Sequence, residues 1–463
     1  MPIINRRILR GLSYTLISSL LILAIFLFSN VHQDYNSQTV YNKLFDDSSY
    51  EPPKDDGIKR LANFYDPLAD KTLNQVHINP NAYDPIKFDD WFIDTSKPEY
   101  TKMNATMVSL VRNEELSDML ESIEQFEASF NHKYHYDWVF LNDKEFTPRF
   151  KKQVAAKCSG NVKFGLVPEE HWSYPDFIDK DKAAQARIDM SHIIYGGSES
   201  YRFMCRYQSG FFWRHPIMLE YDWYWRVEPS TRYPCDIPED LFKYMNDNKK
   251  IYGFTQSLHE YHETIPSLFD SVLSFTNEHP EYVPHKNFAS FISEDEGETY
   301  NGCHFWSNFE IANMKLWRSK QYVEFFDYLD HQGGFFYERH GDAPVHSVFA
   351  SIFLPMDQIE YLNIGYYHIP FWNVPYAVGK NSDSDETLLE QTKEKFLSLN
   401  CKTKEKFLSL NCKVDPREDF TINRFSCGEQ YFKQKKLRTL PTVPDKDALE
   451  WIKITGAEPK EEQ

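Results

Sequence analysis

Two glutamates stand in contexts that suggest metal binding or another carboxylate function. Glu228 follows the aromatic run 221–227 and precedes Pro229, where a carboxylate could hold a hard divalent cation. Glu310 lies in a strongly apolar stretch, where an ionised carboxylate is costly unless it is paired or functional. The ordinary alternatives are a solvated or salt-bridged Glu228 and a structural ion pair at Glu310. The residue types therefore indicate carboxylate chemistry without fixing the reaction.

A second group of candidates lies further along the chain. Asp342 and His346 follow the Gly333-Gly334 step, which predicts a turn. Asp342 could equally cap a helix that has Pro344 in its first turn. His368 lies in an aromatic segment, and a histidine there is more often a hydrogen-bonded core residue than a ligand. No HExxH, P-loop, GxSxG or GxGxxG motif occurs in a supporting context, so these patterns indicate no more than a lumenal α/β enzyme and leave its metal dependence open.

The elements that must position these residues alternate between strands and helices. Apolar or aromatic runs predict strands at 106–111, 137–141, 162–167, 221–227 and 251–255, and helical spacing predicts helices at 114–130, 182–194 and 201–213. This alternation predicts a mainly parallel sheet covered on both faces, which binds ligands at the carboxyl ends of its strands. Arg112, Asp143 and Glu228 fall at such ends.

Composition narrows the class of partner. The net charge of −18 argues against nucleic acid, because phosphate neutralisation needs clustered Lys and Arg. The seven cysteines contain no Cys-x-x-Cys pair, which argues against a zinc site. In an oxidising compartment the odd count leaves at least one cysteine unpaired. Residues 392–402 and 403–413 are identical copies, and we assign them no function.

The N-terminus predicts a membrane anchor. Arg6, Arg7 and Arg10 precede an apolar run at 11–28, close to the length of a membrane-spanning helix. The arginines keep the N-terminus cytosolic and place the remaining chain in the lumen. A cleaved signal peptide is the alternative, but 26–30 offers no small-x-small cleavage site. We expect a cytoplasmic tail at 1–10, an anchor at 11–28, a stem at 29–100, a catalytic domain at 101–440 and a tail at 441–463.

Seven ordered segments resemble the fungal Kre2/Mnt/Ktr α-1,2-mannosyltransferases, glycosyltransferase family 15. They are MVSLVRNEEL (107–116), NHKYHYDWVFLND (131–143), YRFMCRYQSGFFWRHP (201–216), YWRVEPSTRYPCDI (224–237), YNGCHFWSNFEIA (300–312), GGFFYERHGDAPVHS (333–347) and IGYYHIPF (364–371). The resemblance implies an α/β, GT-A-like nucleotide-sugar transferase domain. It also implies GDP-mannose as donor, Mn²⁺ as cofactor, and retention of the anomeric configuration.

The resemblance also implies roles for particular residues. Glu228 and His368 match the family's metal-site residues, and Glu310 matches the carboxylate proposed as nucleophile. Asp342 matches a further active-site acid, and Tyr201 matches a tyrosine of the donor and acceptor site. Arg112, after the first strand, is expected to contact the donor. Ser230 departs from the family pattern, because many relatives carry Asp or another polar residue there.

The expected protein is a single-pass type II Golgi enzyme with a lumenal catalytic domain. Its acceptors would be mannose-terminated O- or N-linked glycans of glycoproteins and cell-wall mannan, with other Golgi mannosyltransferases as candidate partners. Retention leaves two mechanisms open, a covalent mannosyl-Glu310 intermediate or same-face attack with GDP as base. One alternative is a catalytically weak mannan-binding or scaffold member of a Golgi complex. Another is a glycoside hydrolase that uses Glu228 and Glu310 as a carboxylate pair.

Overall fold

The computed structural model describes residues 61, 88–96, 100–375, 379–380, 412, 419–421, 423, 426–435 and 437–438. All of them belong to one compact unit, residues 53–463. The predicted anchor at 11–28, the tails and most of the stem lie outside the described residues, as does all of the duplicated segment except Cys412. Within the described part, no helix has both the length and the apolar character needed to span a membrane.

Strands supply the framework of this unit. They are β1 (Ala105–Leu110), β2 (Asp137–Asn142), β3 (Val162–Leu166), β4 (Trp223–Val227), β5 (Tyr252–Phe254), β6 (Ser257–His259), β7 (Cys303–Phe305), β8 (Phe309–Asn313), β9 (Ile359–Tyr361), β10 (Tyr366–His368), β11 (Phe371–Asn373), β12 (Gly379–Lys380) and β13 (Leu437–Arg438). Seven of them form the central sheet in the order β3-β2-β1-β4-β8-β5-β9. Only β8 pairs antiparallel with its neighbours in this sheet, β4 and β5, so the predicted mainly parallel sheet is confirmed.

Helices connect and cover the strands. They are α1 (Leu116–Ser129), α2 (Pro148–Ala155), α3 (Lys180–Asp189), α4 (Glu199–Gly210), α5 (Leu241–Asp247), α6 (Leu268–Glu278), α7 (Ala289–Ile292), α8 (Lys320–Gln332), α9 (Gly334–Tyr337), α10 (Asp342–Phe353) and α11 (Gly428–Gln434). Helix α4 begins where the Ser198 hydroxyl accepts a hydrogen bond from the Tyr201 amide at 3.2 Å. Helix α8 ends at Gly333, whose φ of 76° is the left-handed conformation that glycine adopts without strain.

Two apolar cores lie against the strands of the sheet. In β4 and β8, residues alternate between them, as the two-residue period of a strand requires. Trp223, Trp225 and Phe309 belong to the smaller core, where α1 contributes Phe126. Tyr224 belongs to the larger core, to which α8 and α10 contribute. The two cores fix which side of each strand faces which set of helices.

The predicted elements differ from the structure in several places. The predicted helix at 182–194 ends at Asp189, and that at 201–213 begins at Glu199 and ends at Gly210. Strand β8 was not predicted, because its five buried residues show no polar alternation apart from Glu310. The expectation that Asp342 caps a helix is wrong: Gly341 is the N-cap, and Asp342 is the first helical residue.

Two disulfides attach the C-terminal segment to the unit. They join Cys235 to Cys412 and Cys303 to Cys427, across sequence separations of 177 and 124 residues. Cross-links that close such long loops restrict the unfolded chain strongly. Cys158 and Cys205 are unpaired, and Cys401 lies outside the described residues.

Candidate active site

The site begins at the carboxyl end of β4. Period-two alternation places Arg226 on the opposite face of the sheet from Trp225, and Glu228 follows the last strand residue. Arg226 pairs in register with Glu310 of the antiparallel strand β8. Strand pairing therefore brings two predicted site residues, Glu228 and Glu310, next to one buried arginine.

Arg226 joins two of the predicted acids. Its Nε donates to Glu228 Oε1 at 2.5 Å, and its Nη1 donates to Asp342 Oδ2 at 2.5 Å. The Ser307 hydroxyl donates to the same Asp342 oxygen at 2.6 Å. All four side chains are buried or largely so. A buried arginine held by two carboxylates is costly to desolvate, so such clusters mark candidate functional sites.

Glu228 and Asp342 both contact Arg226, but their pKa values shift in opposite directions. Burial raises the pKa of Glu228, and Arg226 offsets only part of that rise. Burial alone would also raise the pKa of Asp342, but Arg226 and His346 outweigh it and hold the pKa below its ordinary value. Asp342 is therefore a fixed negative charge at neutral pH. Its role as a helix cap is replaced by this tertiary contact.

Glu310 is 1% exposed and is held by uncharged donors on two sides. The Tyr224 hydroxyl donates to Oε2 at 2.8 Å, and the Tyr252 hydroxyl donates to Oε1 at 2.9 Å. His346 Nδ1 lies 2.8 Å from Oε1. The Glu310 carboxylate therefore lies on the strand next to Arg226 but makes no direct ion pair with it. Such a carboxylate can stabilise a developing cation.

His368 lies at the end of the hairpin formed by β10 and β11. Backbone hydrogen bonds between Arg232 and Tyr367, at 2.9 and 2.8 Å, tie this hairpin to the segment that follows Glu228. The Nδ1 of His368 is buried and has no hydrogen-bond partner among the described residues. Burial lowers the pKa of His368 to about 4, with Arg226 adding to the decrease, so the imidazole is neutral at physiological pH.

The side chains of Glu228 and His368 fit a divalent metal by their chemistry. A neutral imidazole and a carboxylate are suitable ligands, and His368 Nδ1 is an orphaned buried nitrogen that such an ion would satisfy. Arg226 contacts only one oxygen of Glu228. Two protein ligands leave the other positions for phosphate and water oxygens, the usual arrangement for a nucleotide-bound cation. Within the described ranges, the only three-residue cluster of metal-ligand type is His259, Cys303 and Cys427, whose two sulfurs form a disulfide.

Tyr201 and Arg112, the predicted substrate-binding residues, lie near each other at the N-terminal end of α4. The Tyr201 ring stacks on Tyr195 with centroids 4.6 Å apart, and Arg339 Nη1 donates to its hydroxyl at 3.4 Å. Arg112 is exposed and its Nη2 donates to the Ser200 hydroxyl at 3.1 Å, which places it beside Tyr201. The buried Cys205 thiol interacts with both Tyr201 and Asp342, so α4 connects Tyr201 to the acids around Arg226.

Arg226 and Ser307 were not predicted from the sequence, and His346 was named there only together with Asp342, without a role of its own. Arg226 gave one signal, a charged residue inside an aromatic strand, and its importance follows only from the tertiary pairing. His346 lies four residues after Asp342, a spacing that puts both on one helix face. Ser307 gave no signal. Their partners are 35 to 116 residues away along the chain, which local patterns do not reveal.

Comparison with known proteins identifies the family of this chain. Residues 59–391 match the family model described as glycolipid 2-alpha-mannosyltransferase. The Saccharomyces cerevisiae glycolipid 2-alpha-mannosyltransferase is 52% identical over 338 residues, which cover 73% of this chain and 71% of that protein.

Two solved structures are also similar. The mannosyltransferase Ktr4p of S. cerevisiae, in complex with GDP, is 33% identical with a TM-score of 0.59, and the match covers 70% of this chain and 87% of that one. Core-mannan synthase A of Aspergillus fumigatus, in its Mn/GDP form, is 34% identical with a TM-score of 0.58, and the match covers 71% of this chain and 84% of that one. These likenesses place the chain's α/β unit among GT-A-like transferases.

Proposed function

The chain belongs to the fungal α-1,2-mannosyltransferase family, glycosyltransferase family 15, and on that premise we propose the donor, metal, acceptor and location of its reaction. The enzyme is a mannosyltransferase. It takes mannose from GDP-mannose and transfers it, with retention, to the 2-hydroxyl of a mannose-terminated O- or N-linked glycan. Mn²⁺ is the cofactor, and the reaction takes place in the Golgi lumen.

One observation carries the proposal: Arg226 is buried between Glu228 and Asp342 and lies opposite Glu310 on the adjacent strand. Burying three acids around one arginine costs desolvation free energy that an apolar core would not. The same cluster stabilises a reaction that develops charge on both sides, positive at the sugar and negative at the departing diphosphate. Relatives whose names specify GDP or Mn/GDP complexes support the nucleotide and the metal.

Glu228 and His368 would hold the metal. When bound, a divalent cation offsets the negative charge that accumulates on the departing diphosphate. Arg226 fixes the orientation of the Glu228 carboxylate through one oxygen. The imidazole of His368 is neutral, and its buried Nδ1 has no hydrogen-bond partner in the described part of the chain. Both residues are therefore prepared before the donor arrives.

Glu310 supplies the charge at the sugar. As the bond between the anomeric carbon and GDP breaks, that carbon acquires oxocarbenium character, and an ionised carboxylate beneath it lowers the barrier. The incoming 2-hydroxyl forms the new bond and gives up its proton. Two routes give retention: Glu310 bonds transiently to the anomeric carbon, or the acceptor enters on the leaving-group face and the departing diphosphate takes the proton.

The proposed location rests on the N-terminal sequence and the cysteines. Three arginines precede the apolar run at 11–28, the pattern of a type II anchor. Two disulfides in the described part suit an oxidising lumen. The membrane and the glycoprotein acceptor are accordingly the proposed partners, beside GDP-mannose.

The test is transfer of labelled mannose from GDP-mannose to methyl α-mannoside by the detergent-solubilised full chain. We expect an α-1,2-linked product with Mn²⁺ and none with EDTA. Glu228→Gln and His368→Ala should weaken Mn²⁺-dependent GDP binding, measured by calorimetry. Glu239→Gln, at an exposed glutamate, is the matched control and should leave both readouts unchanged. Transfer that persists in EDTA, or GDP binding that ignores both metal-site variants, would contradict the metal assignment.

A further inference from the structure

The hydrogen-bond capacity of Glu310 is almost filled by side chains that the reaction does not otherwise require. Oε1 accepts from Tyr252 and faces His346 Nδ1, and Oε2 accepts from Tyr224. A carboxylate oxygen accepts about two hydrogen bonds, so roughly one acceptor position remains, on Oε2. The carboxylate is held in one orientation by groups from three separate elements, β4, β5 and α10.

Among the described residues, His346 has Glu310 as its one hydrogen-bond partner. It is 1% exposed, and its Nε2 is buried with no hydrogen-bond partner. Its ring stacks on Trp317 with centroids 4.1 Å apart. Donation from Nδ1 to Glu310 therefore selects the tautomer, because the proton on Nδ1 has an acceptor and a proton on Nε2 would have none.

Trp317 links this histidine to the other side of the carboxylate. Its Nε1 donates to the Tyr224 hydroxyl at 2.9 Å, and that hydroxyl donates to Glu310 Oε2. The ring that supports His346 by stacking thus also orients Tyr224. The result is a closed set of contacts around one carboxylate, formed by His346, Trp317, Tyr224 and Tyr252.

Helix α10 serves both halves of the site. Asp342 and His346 are four residues apart, so they project from the same helix face. Asp342 accepts from Arg226 and Ser307, whereas His346 contacts Glu310. One rigid helix consequently sets the distance between the arginine-paired acid and the carboxylate of Glu310.

We propose that His346 is a positioning residue for mannosyl transfer, which holds the Glu310 carboxylate in its reactive orientation through Nδ1. This inference rests on the proposed function, since it assigns His346 a task only if Glu310 faces the sugar. In the described part of the chain, the hydrogen bond and ring contacts of His346 are made with Glu310, Trp317 and Tyr322, and not with the proposed metal ligands Glu228 and His368. Its loss should therefore lower kcat while the KM for GDP-mannose and the affinity for GDP with Mn²⁺ stay unchanged.

A buried histidine that merely fills space is the alternative, and two substitutions separate the roles. His346→Leu keeps about the same volume and removes the donor. His346→Asn is smaller but retains an N–H near the position of Nδ1. A space-filling role predicts that the smaller Asn variant is the worse enzyme and the less stable protein. A positioning role predicts the opposite order for kcat, with Asn active and Leu impaired.

The experiment measures kcat and KM for GDP-mannose, together with melting temperature, on the detergent-solubilised full chain. We expect His346→Leu to lower kcat by about 10–100-fold, the usual effect of removing a group that orients an active residue, and His346→Asn to recover most of that loss despite a lower melting temperature. Tyr322→Phe is the control, because this neighbouring buried hydroxyl donates to the Ser209 carbonyl and not to Glu310.

The outcomes are distinguishable. Equal kcat in His346→Leu and the unaltered enzyme, or a kcat order that follows the melting temperatures, would overturn the positioning role while leaving the proposed function intact. An unaltered chain that binds GDP and Mn²⁺ but transfers no mannose would remove the proposed function, and the inference with it. Loss through a raised KM alone would also overturn it, because His346 would then act on binding.

Discussion

The two faces of β4 and β8 are made of adjacent residues and have opposite chemistry. One face is apolar and belongs to the smaller core: Trp223, Trp225, Val227, Phe309 and Ile311. The other carries Tyr224, Arg226 and Glu310, joined through hydrogen bonds to α10. Because a slip of one residue would exchange the faces, the apolar side fixes the register on which the polar side depends. The packing of the apolar face thus holds the buried charges of Arg226 and Glu310 in place on the opposite face.

Removing the arginine should have the largest combined effect, because it lowers both stability and activity. Arg226→Met would leave Glu228 and Asp342 as buried acids without their cation, which costs about 3–5 kcal/mol of unfolding free energy. Mannosyl transfer should be abolished as well. Chemical denaturation and the transfer assay measure the two effects. Arg226→Lys is the matched variant, and it should recover only part of the stability, because an ammonium does not form the two-sided guanidinium contact.

The apolar face should respond in stability alone. Trp225→Ala removes a fully buried indole and should cost about 3–5 kcal/mol, measured by denaturation. The folded fraction should keep its transfer rate per active molecule, determined by titrating GDP-binding sites. A specific rate that falls as far as in Arg226→Met would contradict the division of labour between the faces.

The ion pair at Asp342 should make stability depend on acid pH. Its pKa is lowered in the folded state, so the unfolded chain binds a proton first as pH falls. The stabilisation is fully present above the unfolded pKa, about 3.9, and is lost as pH falls through the lower folded value. Unfolding free energies between pH 7 and 3 should fall less steeply in Asp342→Asn than in the unaltered chain, and parallel curves would show that Asp342 does not carry the effect.

The smallest effect is expected at the exposed edge of the site. Arg112 contacts only Ser200 and its own turn through Glu115, so Arg112→Ala should change the unfolding free energy by less than about 0.5 kcal/mol. If Arg112 contacts the donor, the KM for GDP-mannose should rise by roughly 2–10-fold, the worth of one hydrogen bond. Steady-state kinetics at fixed Mn²⁺ measures this, and an unchanged KM would remove Arg112 from the donor site.

The sequence predicted five of the seven strands of the described central sheet and only part of the site. Strands β1 to β5 were predicted because compact apolar runs are local signals. Strand β8 was missed because the charged Glu310 interrupts its apolar run and Asn313 ends it. Glu228, Glu310 and Asp342 were expected from the family resemblance, and the structure brings them together around Arg226.

The sequence did not predict side-chain contacts between residues that are far apart along the chain. Local capping rules made Asp342 a helix cap, whereas a tertiary ion pair with Arg226, 116 residues away, takes its carboxylate. The same holds for His346, whose contact with Glu310 spans 36 residues. Local patterns report propensity and periodicity. The pairing of buried charges is decided by the sheet order, which local patterns do not encode.

The most direct test compares neighbouring residues on opposite faces of β8, Phe309 and Glu310. The measurement is the rate of mannose transfer from GDP-mannose per GDP-binding site. The account predicts that Glu310→Gln, nearly identical in size, lowers this rate by about 10²–10⁴-fold in a folded protein. It predicts that Phe309→Leu lowers the melting temperature and keeps the rate. A Glu310→Gln enzyme that transfers mannose at the unaltered rate would contradict the assignment of the reaction to this face.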